Sequence, residues 1–186
     1  MSYDQKESQV KFFSNNEDYF EFSNYYLSPM NVDGIIYHSN EHYFQSQKFN
    51  YNNSDKYTLE YFKLICQADT PQKAKDMGNQ RLNFRGTSWL INKNKPELGL
   101  MNDIIHKYKT FVKLNPEWDE IRIYIMHKGL VSKFSQNQNL KKLLLGTGNR
   151  MLTEDSPYDS YWGSGKDKNG QNILGKLLVE LRSYLH

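Results

Sequence analysis

The chain has 186 residues, of which 38% are hydrophobic and 15% aromatic, with a single cysteine and a formal net charge of +3. This length predicts one domain over residues 1–186, in which residues 1–9 can be flexible, and the aromatic share predicts a core rich in phenylalanine and tyrosine. The charge is too small to argue for binding to duplex nucleic acid, although it would help to attract a phosphorylated metabolite. The lone Cys66 excludes an internal disulfide framework. No apolar run approaches the roughly 20 residues that cross a bilayer, so we expect a cytoplasmic protein without membrane contact.

Short strands are predicted near the start of the chain. Val10–Phe13 and Phe20–Phe22 read as strands on either side of a polar turn, Ser14–Asp18. Further on, the D-G pair at 33–34 indicates a turn that leads into a strand at Ile35–Tyr37. Together these segments predict a small β-sheet.

Helices are predicted for most of the remaining chain. Ser39 can cap a helix that runs through E-H-Y-F-Q-S-Q-K-F, and Thr70, Pro71 and Gly78 bracket a second, short helix. Four further helices follow from apolar residues at helical spacing: Leu98, Met101, Ile104, Ile105, Tyr108 and Val112; Trp118, Ile121, Ile125 and Met126, continuing to Phe134; Leu140, Leu143 and Leu144, stopped by Gly146 and Gly148; and Leu174, Leu177, Leu178 and Leu181, capped by Asn172. The predicted fold class is α+β, a single helix-rich domain with a small β-sheet.

One face of the first predicted helix carries a candidate set of reactive groups. Glu41, Gln45 and Lys48 are spaced i, i+4, i+7, which places them within an arc of about 60°. Such a face is often only solvated. Function is favoured because Glu41 lies in the first turn, where the helix dipole favours its ionised form. It is also favoured by the surrounding side chains, which are Tyr37, His42, Tyr43, Phe44 and Phe49. A carboxylate beside a lysine can act as base and electrophile, or as nucleophile and anion anchor.

The long irregular segment from Glu154 to Gly175 is a second candidate site. Connections in compact domains are usually about 4–6 residues, and longer ones are often functional. The segment combines carboxylates, an aromatic ring and glycines, which suit a flat polar ligand. The residues selected here are Glu154, Asp159 and Trp162, with Arg150 just upstream and Gly163 and Gly165 as positions where backbone N–H groups can approach a phosphate.

Structural roles are the alternative for several of these residues. Asp155 and Asp159 can form turns through hydrogen bonds from side chain to backbone, and Trp162 can fill the core. In the last helix, Gly175 indicates close packing, because glycine costs about 1 kcal/mol relative to alanine there. For Arg182 we favour a structural contact over binding of a substrate phosphate.

Metal chemistry is poorly supported by the sequence. His38 and His42 lie on either side of Glu41 at i, i+4, but the order is not H-E-x-x-H and no third ligand is evident. Cys66 lies in the apolar run L-I-C-Q-A, where a buried cysteine is more common than a nucleophile. We therefore expect no metal and no cofactor.

Several motifs, in order along the chain, resemble those of the NADAR (YbiA-like) family. They are F-S-N-Y-Y at 22–26, D-G-I-I-Y-H-S-N-E-H-Y-F-Q-S-Q-K-F at 33–49, K-F at 133–134, L-L-L-G-T-G at 143–148, L-T-E at 152–154, D-S-Y-W-G-S-G at 159–165 and N-I-L-G-K-L-L-V-E-L-R at 172–182. The section from 50 to 115 matches mainly in length and helical character. A set of this kind is far more specific than any single motif.

The resemblance implies a YbiA-like fold and hydrolysis of the N-glycosidic bond of a phosphoribosyl or ADP-ribosyl small molecule, without a metal. By motif position, the implied catalytic residues are Glu41, Lys48, Glu154 and Asp159, and the implied substrate-binding residues are Asn24, Gln45, Arg150 and Trp162, to which we add Gly163. Trp162 would stack on the heterocycle or on the sugar. We expect the two signatures to converge on one ligand.

The substrate and the chemistry remain open at this point. The first choice is a phosphoribosylaminopyrimidine of riboflavin synthesis, with release of ribose 5-phosphate. The alternatives are removal of ADP-ribose from guanine bases in nucleic acid, for which no basic arm is visible, and a non-catalytic module that binds ADP-ribose or an NAD derivative. Either water attacks the sugar directly or Lys48 forms a Schiff base. The sequence leaves the oligomeric state open.

Overall fold

The computed structural model describes residues 8–15, 17–79 and 112–185. These residues form four strands and six α-helices, which confirms the predicted α+β class. The elements are β1 (Gln9–Phe12), β2 (Met30–Val32), β3 (Ile35–Tyr37), α1 (Asn40–Gln47), α2 (Lys56–Cys66), α3 (Pro71–Gly78), α4 (Trp118–Gln136), α5 (Gln138–Leu145), β4 (Met151–Glu154) and α6 (Ile173–Tyr184). None of these described helices has the length and apolar character needed to cross a bilayer.

The chain divides into two compact units, residues 1–40 with 123–186 and residues 41–122. Buried side chains of the first unit include Val10, Phe12, Phe22, Met30, Tyr37, Met126, Leu130, Phe134, Leu140, Leu144, Leu152, Leu174, Leu178 and Leu181. The core of the second unit consists of Phe49, Tyr61, Phe62, Ile65, Ala68, Ala74, Met77 and Val112. Phenylalanine and tyrosine are prominent in both cores. The expectation of one domain over the whole chain stays a prediction.

The four strands form two separate pairs in the first unit. β1 and β4 pair in parallel over their full length, with Phe12 opposite Glu154. β2 and β3 form an antiparallel hairpin. Its turn residues Asp33 and Gly34 both have positive φ, 52° and 85°, as a two-residue turn of type I′ requires. The predicted turn and the predicted strand at Ile35–Tyr37 are confirmed.

The strand predicted at Phe20–Phe22 is wrong, because these residues form a single turn of 3-10 helix. Tyr19 precedes it with φ 61°, and the Phe22 N–H donates to the Tyr19 carbonyl at 2.9 Å. The apolar–polar–apolar order of the segment is typical of a strand, but β1 takes β4 as its partner instead. The predicted first strand, Val10–Phe13, is shifted by one residue to Gln9–Phe12.

Helix signals in the middle of the chain are confirmed in part. The Thr70 hydroxyl accepts a hydrogen bond from the Lys73 N–H at 3.1 Å and caps α3, with Pro71 in its first turn. Gly78 is the last helical residue of α3 rather than the residue after it. The helix predicted from Leu98 to Val112 lies outside the described residues except for Val112, which is buried but not helical.

One helix was not predicted separately. α2 begins after Asp55, whose carboxylate accepts hydrogen bonds from the N–H groups of Tyr57 and Thr58 at 2.8 and 3.0 Å. The remaining predicted helices are present: α1 begins directly after Ser39, α4 extends beyond Phe134, and α5 ends before Gly146.

Asn172 does not cap α6 as predicted. It has φ 51°, and its side chain makes no capping hydrogen bond. The side chain instead joins α6 to β4, accepting from the Glu154 N–H at 3.0 Å and donating to the Leu152 carbonyl at 2.9 Å. Gly175 packs on the same strand, since an added Cβ would lie 2.1 Å from the Leu152 carbonyl oxygen. The close packing predicted for Gly175 is therefore present.

A lysine lies in the core of the first unit. Lys133 of α4 is only 1% exposed. Its ammonium donates to the carbonyl oxygens of Glu21 at 2.6 Å and Ser23 at 2.8 Å. It also lies 5.6 Å from the ring centre of Tyr26 and 5.3 Å from that of Phe134. Burial lowers the pKa of Lys133 from 10.5 to about 7, against a smaller opposing effect of the Glu21 charge.

This pKa predicts that stability depends on pH. Between about pH 7 and pH 10.5 the unfolded chain retains a proton at Lys133 that the folded chain has released, so the free energy of unfolding rises with pH. Lys133→Met removes the titrating group. From about pH 7 to pH 9, the wild type should gain up to about 1.4 kcal/mol per pH unit relative to this variant. Urea unfolding of both proteins measures the difference, and a constant difference over this range contradicts the prediction.

Candidate active site

The polar face of α1 is buried. Glu41 and Gln45 are each 4% exposed, and Lys48, just after the helix, is 8% exposed. The interpretation that this face is only solvated is therefore wrong. Burying ionisable groups costs free energy unless partners satisfy them, and proteins retain such groups mainly where they act.

Glu41 and Gln45 form a fixed pair on α1. The Gln45 side-chain N–H donates to Glu41 Oε1 at 2.8 Å, which directs the other end of the amide, Oε1, away from the carboxylate. Gln45 Oε1 is buried and has no hydrogen-bond partner among the residues described. It lies against Gly78 of α3, where an added Cβ would be 2.1 Å away. Because Gly78 has no side chain, the Gln45 amide can pack against its backbone. The Gln45 Oε1 atom remains available to accept a hydrogen bond from a ligand.

Lys48 lies at the C-terminal end of α3. Its ammonium donates to Asn79 Oδ1 at 2.9 Å and to the Gly78 carbonyl at 3.3 Å. It also lies 5.9 Å from the ring centre of Phe44 and 5.8 Å from that of Trp118. Carbonyl groups at a helix C-terminus and the faces of aromatic rings both stabilise a cation. These contacts hold the ammonium group on the same buried side of the second unit as Gln45.

The histidine of α1 has a structural role. His42 is fully buried, and its Nε2 donates to the Ala68 carbonyl at 3.0 Å. Among the residues described, no group of three or more histidine, cysteine, aspartate and glutamate side chains is arranged to hold a metal ion.

Asn24 is oriented by a second asparagine in the first unit. Asn40 Nδ2 donates to Asn24 Oδ1 at 2.7 Å and contacts Met126 Sδ at 3.4 Å. Asn24 and Asn40 are 6% and 0% exposed. Because the Asn24 oxygen is occupied, its Nδ2 group is the end that remains to donate to a ligand. Asn40 directly precedes Glu41 in the chain.

Glu154 is held through its backbone at the end of β4. Its N–H donates to Asn172 Oδ1 at 3.0 Å, and its carbonyl accepts from the Ser164 N–H at 2.8 Å. Gly163 packs against this carbonyl, since an added Cβ would lie 2.8 Å from it. Packing therefore requires a glycine at position 163, in addition to its predicted contact with a phosphate.

Asp159 forms the turn that carries Trp162. Its Oδ1 accepts hydrogen bonds from the N–H groups of Tyr161 at 2.9 Å and Trp162 at 2.8 Å. This is the turn-forming role that was the alternative to catalysis, and Oδ2 is the oxygen that remains for other chemistry. Trp162 is half-buried, and its ring meets that of Tyr161 edge-on at 5.0 Å. Its partial exposure differs from that of a residue filling the core.

Asp155 stabilises the loop from within. Its Oδ1 accepts hydrogen bonds from Lys168 at 2.8 Å and Ser164 at 3.0 Å, and Lys11 lies 3.7 Å from Oδ2. Burial raises the pKa of Asp155, but the hydrogen bonds and the two lysine charges outweigh it and hold the pKa below its ordinary value. The structural interpretation of Asp155 agrees with these contacts.

Arg150 and Arg182 lie together at the opposite end of β4 from Glu154. Arg150 donates to the Thr147 carbonyl at 2.9 Å and the Gly146 carbonyl at 3.2 Å, at the C-terminal end of α5. Arg182 donates to Thr147 Oγ1 at 2.6 Å and the Arg150 carbonyl at 2.9 Å. Burial and the neighbouring Arg150 charge lower the pKa of Arg182. The structural role favoured for Arg182 agrees with these bonds. Arg150 lies about 13 Å along the strand from Glu154, at roughly 3.3 Å per residue.

Sequence reasoning missed several residues that hold the predicted ones. They are Asn40, Gly78, Asn79, Trp118 and, as a bridge to β4, Asn172. Gly78 and Asn79 look like an ordinary helix stop, because glycine and asparagine are common at helix ends. Trp118 was read as a core position of α4. Only the contacts reveal that these residues adjoin Gln45 and Lys48.

The resemblance to known proteins extends over nearly the whole chain. The sequence profile of the NADAR domain matches residues 11–186. The chain is similar to the N-glycosidase YbiA of Escherichia coli (strain K12), with 34% identity over 176 residues, 95% of this chain and 88% of that protein. It is similar to the N-glycosidase Npun_R5314 of Nostoc punctiforme, with 30% identity over 161 residues, 87% of this chain and 82% of that protein.

Two further similarities concern a plant protein and a solved structure. The chloroplastic riboflavin biosynthesis protein PYRR of Arabidopsis thaliana is 45% identical over 67 residues, 36% of this chain and 11% of that protein. The NMR structure of the E. coli protein YbiA superposes with a TM-score of 0.70 and 31% identity, covering 96% of this chain and 85% of the other. The expected YbiA-like fold is confirmed.

Gly78→Ala tests the close approach of Gln45. In an ordinary helix this change gains up to about 1 kcal/mol of stability, but here the new Cβ would overlap the Gln45 side chain. We expect kcat/KM to fall at least about tenfold, with a melting temperature that does not rise. Gly146→Ala is the control, because its added Cβ has no neighbour closer than 3.2 Å. Unchanged activity in Gly78→Ala would show that the position of Gln45 is not required.

Trp162 variants separate ligand stacking from core packing. If the half-buried indole stacks on the ligand, Trp162→Phe keeps partial activity and Trp162→Ala loses about 1–3 kcal/mol of binding to the transition state, roughly a tenfold to hundredfold loss in kcat/KM. A core residue would instead cost about 3–5 kcal/mol of stability. Steady-state kinetics and thermal unfolding on the same preparation decide, and a large loss of melting temperature with unchanged kcat/KM contradicts stacking.

Proposed function

This chain belongs to the NADAR domain family, and we propose that it is an N-glycosidase that hydrolyses the ribosyl C–N bond of a phosphoribosylaminopyrimidine and releases ribose 5-phosphate. The similarity to two proteins named N-glycosidase supports the reaction. The similarity to a riboflavin biosynthesis protein supports this substrate class. The cytoplasmic location expected from the sequence stays a prediction.

The observation that carries the proposal is the burial of a charged helix face. Glu41 and Lys48 are 4% and 8% exposed, with Gln45 between them. A solvated face needs no partners, whereas these groups are fixed by an amide, a helix end and two aromatic rings. Groups held ready in this way are suited to a reaction in which charge develops on the substrate.

The carboxylates divide the work of hydrolysis. Cleavage of the ribosyl C–N bond leaves positive charge at C1 of the sugar, so the carboxylate of Glu41, oriented by Gln45 and the first turn of α1, stabilises that charge. Glu154 donates a proton to the departing nitrogen, and Asp159 Oδ2 orients the water that attacks C1. The C1–N bond breaks as the C1–O bond to water forms; the amine leaves with the proton from Glu154, and Asp159 takes the proton that the attacking water loses.

Lys48 has two possible roles in this scheme, and both use its held position. As an ammonium it stabilises negative charge on the substrate. As a free amine it attacks C1, the pyrimidine amine leaves, and the C1–O bond of the ring opens to give a Schiff base that water hydrolyses to ribose 5-phosphate. This route requires loss of a proton from a group now hydrogen-bonded to two oxygens.

Neutral and aromatic groups bind the substrate in this proposal. Asn24 Nδ2 and Gln45 Oε1 offer one donor and one acceptor for sugar hydroxyl groups, and Trp162 stacks on the heterocycle. Gly163 gives backbone access to the substrate, and Arg150, at the far end of β4, contacts its phosphate.

Product analysis on the purified chain tests the proposal. A phosphoribosylaminopyrimidine should give ribose 5-phosphate and the free pyrimidine, resolved by liquid chromatography and mass spectrometry, and ADP-ribosylated guanosine serves as the competing substrate. Glu154→Gln should lower turnover at least about a hundredfold, while Glu180→Gln, an exposed glutamate of α6, should not. Cleavage of the guanosine adduct alone moves the assignment to ADP-ribosyl hydrolysis. Binding of ADP-ribose without any cleavage indicates a binding module.

Lys48→Met tests the lysine. Methionine retains the buried stem, so the fold should persist while turnover falls at least about a hundredfold. Lys56→Met, at an exposed position of α2, is the control and should retain wild-type activity. Borohydride added during turnover assigns the role: a sugar adduct on Lys48 supports the Schiff base, and its absence supports the ammonium. Wild-type activity in Lys48→Met would remove Lys48 from the mechanism.

A further inference from the structure

Lys133 carries a buried amino group that none of the roles above uses. It is 1% exposed, and among the residues described no carboxylate lies within ion-pair distance of its ammonium. An ammonium taken out of water without a carboxylate costs free energy, because hydration is lost and only partly replaced. A methionine or leucine would fill the same space without that cost. The hydrogen bonds of this amino group to two carbonyl oxygens, which the protonated and the neutral form can both donate, are what a methionine would lose.

The ammonium of Lys133 fixes one short segment of backbone. It binds the carbonyl oxygens of Glu21 and Ser23, which belong to the 3-10 turn and the residue that ends it. The last carbonyl groups of a helical turn lack partners within the turn, and a cation satisfies them. The Tyr26 ring covers the same ammonium at 5.6 Å. Lys133 thus contacts the segment on both sides of Asn24.

Asn24 depends on two anchors. Its side-chain oxygen is held by Asn40 at 2.7 Å, and its backbone follows directly on the Ser23 carbonyl that Lys133 binds at 2.8 Å. The hydrogen bond from Asn40 fixes the rotation of the Asn24 side-chain amide. The hydrogen bond from Lys133 to Ser23 fixes the position of the Asn24 backbone. With both in place, the Nδ2 group of Asn24 is directed by the protein before a ligand arrives.

We propose that Lys133 is a positioning residue that holds the Asn24 amide ready to donate to the substrate sugar. This inference rests on the proposed function only for the identity of the ligand. The lysine itself touches no substrate; it acts through the Ser23 carbonyl. Removal of the ammonium frees this backbone, so substrate binding weakens even where the fold persists.

A double-mutant cycle tests the link. Lys133→Met should lower kcat/KM about tenfold or more, mainly through KM, and Asn24→Ala should do the same. In the Asn24→Ala background, Lys133→Met should then change kcat/KM by less than about twofold, because the residue through which it acts is gone. Lys128→Met, on the same helix and in an exposed ion pair with Asp33, is the matched control and should leave kcat/KM unchanged. If Lys133→Met does not fold, Lys133→Leu, which also removes the donor, takes its place.

A second readout needs no substrate. The side-chain amide protons of Asn24, assigned in the NMR spectrum by their loss in Asn24→Ala, should move toward random-coil positions in Lys133→Met and stay in place in Lys128→Met. If the wild type cleaves no ribosyl substrate, the proposed function has failed, and these signals still decide the inference. Two results would overturn the inference. One is Asn24 amide signals that are unchanged in Lys133→Met, and the other is a loss of kcat/KM in the double variant equal to the product of the two single losses.

Discussion

The structure depends on the burial of the charged face of α1. Glu41 and Lys48 cannot lie away from water without partners: Gln45 of the same helix donates to Glu41, and the partners of Lys48 come from elsewhere in the second unit. The end of α3 supplies the main ones: Gly78 leaves room for the Gln45 amide, and Asn79 accepts from Lys48. The position of α3 against α1 is therefore set by polar contacts as well as by the apolar core.

In the first unit, polar contacts of Asn172 likewise set the position of one element against another. Asn172 adopts a left-handed backbone conformation, and its side chain satisfies an N–H and a carbonyl of β4. The start of α6 is thereby joined to the strand that carries Glu154. The loop folds back on the same strand, because Gly163 and the Ser164 N–H both meet the Glu154 carbonyl. A carboxylate so held has little freedom at its backbone, which suits a group that must act at a fixed distance from a substrate.

The sequence predicts correctly those helices and turns that are marked by local signals. It does not predict features that depend on contacts between distant parts of the chain. Thr70 with Pro71 marks a helix start, and the D-G pair marks a hairpin, because these residues act on their own backbone. Phe20–Phe22 has the apolar–polar alternation of a strand, but β1 pairs with β4 instead. No local sequence pattern predicts which strand becomes the partner of β1. The same limit applies to the site. Spacing grouped Glu41, Gln45 and Lys48. Only tertiary contacts reveal that Asn79 accepts from Lys48, that Asn40 orients Asn24, and that Lys133 donates to the Ser23 carbonyl just before Asn24.

In the proposed N-glycosidase, Lys48 and Trp162 bind the same substrate molecule. The indole N–H signals of Trp118, beside Lys48, and of Trp162 can each be assigned in the NMR spectrum by substitution with phenylalanine. Titration of the wild type with ribose 5-phosphate then follows both reporters in one experiment. We expect both signals to move with the same dissociation constant, and both shifts to be lost in Lys48→Met. Movement of only one signal, or two signals with different dissociation constants, would contradict the claim.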